Sequence, residues 1–256
     1  MVFLFALVCY SIDAQQIQGG KMKEIEGVEE VGILMKENKA WGLHLNSSGY
    51  GIDFRRGKQK TAFKNVFWNF SVNTIKHAKE TQTLNRFYER SSSFIYGKIN
   101  NVWQLKLDRG FIKNLNPKGD NSSVAISYGM TIGASLNIVK PIYLDIVQNE
   151  STFQNPITIS ERYDPEIHPT EKVLGRSFFL KGLDESQIRP SIQFQSFLCA
   201  EWQKKPKQIN LLEAGIGFDY FFTPLPILAY EQNKSLIVTL FIRVLIGNKW
   251  NPQQTI

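Results

Sequence analysis

The chain has 256 residues, 43% of them hydrophobic, a net charge of +7, and many aromatics: 18 Phe, 9 Tyr and 5 Trp. That length suffices for one large domain or two small ones with a sizeable buried surface. Basic residues are scattered among acids, the densest runs being RRGKQK (55–60) and KKPK (204–207), so no nucleic-acid partner is expected; no window after the leader approaches the about 20 apolar residues of a membrane helix.

The chain begins MVFLFALVCYSIDAQQ, with an apolar block over 2–10, a small residue at Ala14 and polar QQIQGG beyond it. This is the pattern of a secretory signal peptide over 1–14, too short to span a bilayer as a helix. Cys9 is not read as a lipid-attachment site, because Val8 precedes it where a small residue is required. Cys199 is then the only cysteine of the mature chain, which excludes an internal disulfide and a cysteine metal cluster. Residues 15–30 form a polar lead-in, 31–250 the folded domain and 251–256 a tail.

From residue 31 onward the dominant signal is period two. Trp41, Leu43 and Leu45 flank His44, and Tyr50, Ile52 and Phe54 flank Asp53. Val66, Trp68, Phe70 and Val72 alternate with Asn69, Ser71 and Asn73; Trp103, Leu105 and Leu107 with Gln104 and Lys106. The run VAISYGMTIGASLNIV (124–139) sets Ile126, Met130, Ile132 and Leu136 against Ser127, Gly129, Thr131 and Ser135. Ile192, Phe194 and Leu198 alternate with Gln193, Gln195 and Cys199; Ile216, Phe218 and Tyr220 with Gly217 and Asp219; Leu240, Ile242 and Val244 with Phe241 and Arg243.

These patterns predict strands at 31–46, 49–57, 62–77, 93–107, 122–147, 189–203, 208–221 and 235–248, with a further strand or two possible beyond Pro141. An even count near eight suits a single-chain bacterial membrane barrel. The links alternate accordingly: 58–61, 108–121 and 204–207 at one end, and 47–48, 78–92, 148–188 and 222–234 at the other. Short links at the inner end and long ones outside are the asymmetry of outer-membrane barrels, with 108–121 as the exception.

Alternation alone also fits a lipocalin-like barrel or a β-sandwich, so the second face decides. A soluble barrel places Lys, Glu and Arg outside. Here that face carries Ser, Gly, Thr, Asn and Gln, with isolated charges of both signs. Asp53, Lys98, Ser127, Thr131, Glu213, Asp219 and Arg243 are therefore expected to line a narrow lumen while the aliphatic face meets lipid. Trp68, Trp103, Trp202 and Trp250 fall toward the predicted inner ends, as an interfacial aromatic girdle would place them.

The aromatic strands, the leader ending Ala14-Gln15 and the run KPIYLDIV (140–147) resemble small outer-membrane β-barrel proteins of Bacteroidota. The stretches GYGIDFRRGK (49–58), FKNVFWNFSVNTIKHAKE (63–80), FIYGKINN (94–101) and KGLDE (181–185) are similar to a largely uncharacterised family of that group. The resemblance covers most of the mature chain. It implies an antiparallel transmembrane barrel in the outer membrane of a Gram-negative envelope, and it carries over no functional residue. By analogy it suggests a subunit of a secretion or barrel-assembly complex. No peptidoglycan-binding extension is expected, since little sequence follows Trp250.

Three histidines limit catalysis. His44 with Ser47, Ser48 and Asn46 is the one arrangement resembling a lipid hydrolase triad, and a lumen histidine beside a polar hairpin explains it more simply. In RYDPEIHPTEK, Asp164, Glu166 and His168 would point one way if extended, as a cation site requires, against the plainer reading of a solvated loop stiffened by Pro165 and Pro169. GYGIDF and GIGFDY precede no helix and are not phosphate loops. The link 148–188 is long and carries Phe153, Ile159, Tyr163, Phe178 and Phe179, which predicts a folded outer cap or docking element. Mixed charges in an eight-stranded lumen argue against a porin. The sequence is thus read as a non-enzymatic barrel without cofactor, embedded in outer-membrane lipid and docking protein partners of an envelope complex. A barrel enzyme acting on lipid and a soluble secreted barrel binding an apolar ligand are the alternatives.

Overall fold

Successive side chains of a strand point to opposite faces, so a sequence that alternates without interruption can bury one face only by pairing into a sheet. The computed structural model describes residues 36–61, 63–89, 91–115, 124–149, 157–202 and 207–251. The leader, the lead-in, Cys9, Phe153, the KKPK run short of Lys207, and the tail beyond residue 251 lie outside the described residues. Eight strands close into a barrel: β1 (Glu37–Asn46), β2 (Gly49–Thr61), β3 (Lys64–Ile75), β6 (Asn100–Asn114), β7 (Ala125–Pro141), β11 (Gln187–Trp202), β12 (Gln208–Phe221) and β13 (Leu236–Trp250). All eight neighbouring pairs are antiparallel, and β1 meets β13 from Glu37↔Trp250 to Asn46↔Phe241. Closure leaves no barrel strand with an unpaired edge.

The outer links hold the remaining strands. β4 (Gln82–Thr83) pairs with β5 (Phe94–Ile95), and β8 (Tyr143–Asn149) pairs with β9 (Ile157–Arg162) and β10 (Val173–Arg176).

Three strands differ from expectation, the first being β2, which runs on through the link expected at 58–61 to Thr61. The one expected over 93–107 lies at Asn100–Asn114. Gly97 takes φ 72°, a turn conformation, so the alternation through Ile95 and Ile99 belongs to a turn. At the other end LDRGFIKN, which resembles a link, continues the pleat with Asp108 and Gly110 inward and Arg109 outward. This shortens the exceptional inner link. The strand expected to reach residue 147 ends at Pro141, whose missing N–H stops the ladder at Asn100↔Pro141; Tyr143 onward leaves the barrel for the small sheet.

Outside, the wall is aliphatic and aromatic. Leu43, Ile132, Leu198 and Leu240 are 66, 67, 60 and 63% exposed to the surroundings. Such a belt on every barrel strand, around a polar interior, inverts a soluble barrel and is the architecture of a transmembrane one. On the described strands, outward charges lie toward the strand ends and in one row of cross-strand neighbours near the inner end, Lys39, Arg56 and Arg109, with Trp68 between the last two. Arg109 lies over the Trp68 ring at 5.4 Å, a long cation laid along an aromatic as at a membrane interface. Trp202 and Trp250 end their strands at the same side, and Trp41 packs on Phe54 at 4.6 Å. Trp103 departs from the expected girdle. Because β6 begins at Asn100, Trp103 sits at the outer rim, paired with Ile138.

Candidate functional site

The inward face is layered. Toward the inner end Ala40, Phe67, Phe197, Phe241 and Leu245 form an apolar floor. Phe197 fits because it stands opposite Gly129 on β7 and Gly215 on β12, and a Cβ at Gly129 would collide with its ring. Large side chains facing small ones fill a narrow barrel without voids.

Above the floor lies a charged layer. Period two from Asp53 brings Arg55 inward, and it grips Glu213 with both guanidinium nitrogens, Nη2 donating at 2.9 Å. Arg243 Nη1 donates to the same carboxylate at 3.0 Å, while its Nε lies 3.2 Å from Asp53 Oδ2 and its Nη2 donates to Gln195 at 3.1 Å. Asp53 also meets His44 Nδ1 at 2.5 Å and accepts from Asn69 at 3.0 Å. Asp53, Arg55, Glu213 and Arg243 are each at most 2% exposed. A second cluster joins Lys106 to Asp219 at 2.9 Å, with Gln104 bridging Asp219 and Ser135. Asp108 accepts from Gln193. Charges of both signs thus neutralise one another across the lumen, which is the condition for keeping them out of water.

A second apolar layer closes the outer mouth. Ile75, Val102, Val139 and Phe221, at the outer strand ends, meet Leu225, Ile227 and Leu228 from the β12–β13 link. The segment is held by its own carbonyls: Ile99 N–H donates to Ile227 O at 3.0 Å, Asn100 Nδ2 to Pro226 O at 2.7 Å, and Arg189 to Pro224 O. Over it sits a cap built from the two long outer links, cored by Phe94, Leu144, Ile146, Tyr163 and Val173. Asn85, 3% exposed, ties the links together by donating to the carbonyls of Thr170, Glu171 and Val173.

Asp53, Ser127, Thr131, Glu213, Asp219 and Arg243 all lie buried in the lumen. Lys98 does not. It follows the Gly97 turn at the outer mouth, where it binds Glu80 at 2.7 Å, and burial pushes its ammonium below the ordinary lysine value against that partner's pull. His44 and Ser47 are not brought together: His44 is held by Asp53 in the lumen, while the Ser47 hydroxyl accepts from Leu240 N–H at the rim turn. The 164–168 segment is a turn and not a strand. Asp164 caps it by accepting from Glu166 N–H, and His168 is engaged on one nitrogen by Asp164 N–H and on the other by Glu161 at 3.1 Å. Among the described residues no three His, Cys, Asp or Glu side chains are grouped to hold a metal. Sequence reasoning passed over Arg55 and Asp108, although their parity follows from Asp53 and Lys106. The mouth segment TPLPIL offers no periodic signal by which to find it.

No protein-family model matches the chain, and no curated protein sequence does. Solved structures are similar to it at low identity. Neisserial surface protein A is 10% identical over 84% of this chain and 96% of its own, with a TM-score of 0.41. A major outer membrane protein from Thermus thermophilus is 10% identical over 84% and 99%, with a TM-score of 0.45. Ail, the attachment invasion locus protein of Yersinia pestis, is 7% identical over 85% and 100%, with a TM-score of 0.38.

Proposed function

We propose that the chain is an outer-membrane β-barrel that works through its outer cap and not as a pore or an enzyme, serving as a structural or docking subunit of an envelope complex. The observation carrying this reading is that the lumen is occupied at three successive levels while the outer links are folded into an ordered cap. A barrel filled with its own side chains conducts nothing and stores no apolar ligand, so what it offers its surroundings is its outer surface. Leu84, Phe87 and Ile167 stand exposed on that cap at 51, 66 and 71%, in a position suited to a protein partner. The non-enzymatic part of the reading draws on the separation of the candidate pair, His44 bonding Asp53 in the lumen while the Ser47 hydroxyl accepts from Leu240 N–H at the rim.

Affinity purification of the tagged chain from gently solubilised envelopes tests the docking role. Stoichiometric partners that are lost on the triple change Leu84→Ser, Phe87→Ser and Ile167→Ser support it. A monomer with no partner in either form removes it.

A further inference from the structure

Where the cap overhangs the barrel wall, a groove of about 760 Å³ opens at the outer rim of β2, β3, β6 and β7. Its floor is wall: Tyr50, Thr74 and Trp103, all on the outward face of their strands. Its roof is Phe178 and Phe179 from the cap. The charged residues lining it are Lys76, Lys98, Lys140 and Arg176 against one acid, Glu80, which Lys98 already takes up. The closeness of the cations has its own signature: the charges of Lys76 and Arg176 both act against protonation of Lys98.

Lys140 is the decisive residue. It stands on the outward parity of β7, one place before Pro141, and only 6% of it is exposed. Among the described residues its ammonium has no carboxylate or hydrogen-bond acceptor; it lies over the Phe179 ring, 5.0 Å from the centroid. Phe179 in turn meets Trp103 edge-on at 6.1 Å. That ammonium opens onto the groove with no acid paired to it, and a single aromatic face answers only part of a cation's charge. The missing component is an anion.

We infer that this groove binds the phosphate headgroup of a membrane lipid. Phosphate satisfies several cations at once, with Arg176 able to take two of its oxygens and Lys140 and Lys76 acting as point charges. A freely dissolved phosphate would satisfy the same cations, but the groove's placement favours the lipid. Trp103 pairs with Ile138, and the wall continues toward Leu107, Leu136 and Ile132, so a phosphate held among the lysines leaves its acyl chains lying on the apolar belt. Aromatic residues and cations at one level are how membrane proteins meet headgroups. The inference rests on the membrane placement proposed above.

The test uses the full chain, folded in an uncharged detergent as judged by heat-modifiable gel migration, and native mass spectrometry to count bound lipids. The probes are dioleoyl phosphatidylglycerol, phosphatidylcholine with the same chains, and inorganic phosphate. The expected result is one retained phosphatidylglycerol with about tenfold preference over phosphatidylcholine, as a few charge-assisted contacts supply. Lys140→Gln and Arg176→Gln should each erase most of that preference, and Lys140→Arg should keep it. Arg176 is exposed, so its variant carries the test even if Lys140→Gln fails to fold. Equal retention of both lipids, or a preference untouched by either Gln variant, overturns the inference. Inorganic phosphate that displaces the lipid at equal concentration also overturns it, by making this a solute site. Flotation with phosphatidylcholine vesicles checks membrane placement separately: failure there removes the parent reading, whereas flotation without headgroup preference removes only the lipid site.

Discussion

Glu213→Gln is the sharpest perturbation of the lumen. The carboxylate is fully buried and accepts from Arg55 through both its oxygens and from Arg243 through one of them. Two unit charges about 4 Å apart attract by about 4 kcal/mol at an effective dielectric near 20, so two guanidinium pairs amount to roughly 8 kcal/mol gross. Desolvation of the ions offsets much of this, and removing one partner of such a group costs about 3–5 kcal/mol because it strands the others. The amide keeps one acceptor oxygen but turns an NH₂ toward a guanidinium, leaving Arg55 buried without a counterion. Equilibrium guanidinium unfolding in phosphatidylcholine vesicles, followed by tryptophan fluorescence, should therefore show a loss of about 3–5 kcal/mol. Changing both Arg55 and Glu213 to Met should recover most of it, since Arg243 still faces Asp53 at 3.2 Å, giving a coupling of about 2–3 kcal/mol. A Glu213→Gln variant within about 0.5 kcal/mol of the parent, or Arg55→Met and Glu213→Met losses that simply add, would refute the account of a lumen held by charge.

Three further outcomes follow from the same geometry. Ile242→Arg places a charge in the middle of β13 on the outer wall, beside Leu45 and Ala214, and should cost about 2–4 kcal/mol in vesicles if that wall meets hydrocarbon; unchanged unfolding and unchanged vesicle insertion would contradict the membrane placement. Gly129→Val drives a side chain into the Phe197 ring and should destabilise by about 1–3 kcal/mol or more, read as loss of the heat-modifiable band, with Phe197→Ala restoring it in part. Asn85→Ala removes the donor shared by three cap carbonyls, a local loss of about 1–3 kcal/mol. Limited proteolysis should then cut the cap while the barrel keeps its gel shift; equal protection in both forms would show that Asn85 does not hold the links together.

Uninterrupted alternation determines a great deal without any coordinates. Because a strand's side chains have a period of two, Ile132 against Thr131, or Ile242 against Arg243, assigns each residue to a face as soon as the strand is recognised. The small and singly charged inward set against an aliphatic outward one is a statement about solvent, and it made the barrel and its sidedness legible. The boundaries were less legible. A tight turn at Tyr96-Gly97 and a charge-rich continuation through Asp108 and Arg109 displaced β6 along the chain, and with it Trp103, from the expected inner girdle to the outer rim.

What only the tertiary structure decided is which inward groups meet, and what the outer links become. Parity places Arg55, Glu213, Arg243 and Asp53 inside, but they come from strands far apart in sequence, and barrel closure sets Arg55 against Glu213. The same holds for TPLPIL, which has no periodicity to betray a closing segment and becomes one because its carbonyls find Ile99 and Asn100 across the mouth. Lys140 reads in sequence as the polar end of a strand. It became a candidate phosphate ligand only when Phe179, far along the chain, folded over it at the mouth of a groove without supplying an anion. Faces are a local property of the pleat, and so belong to the sequence; neighbours across a closed sheet are a property of closure, and belong to the fold.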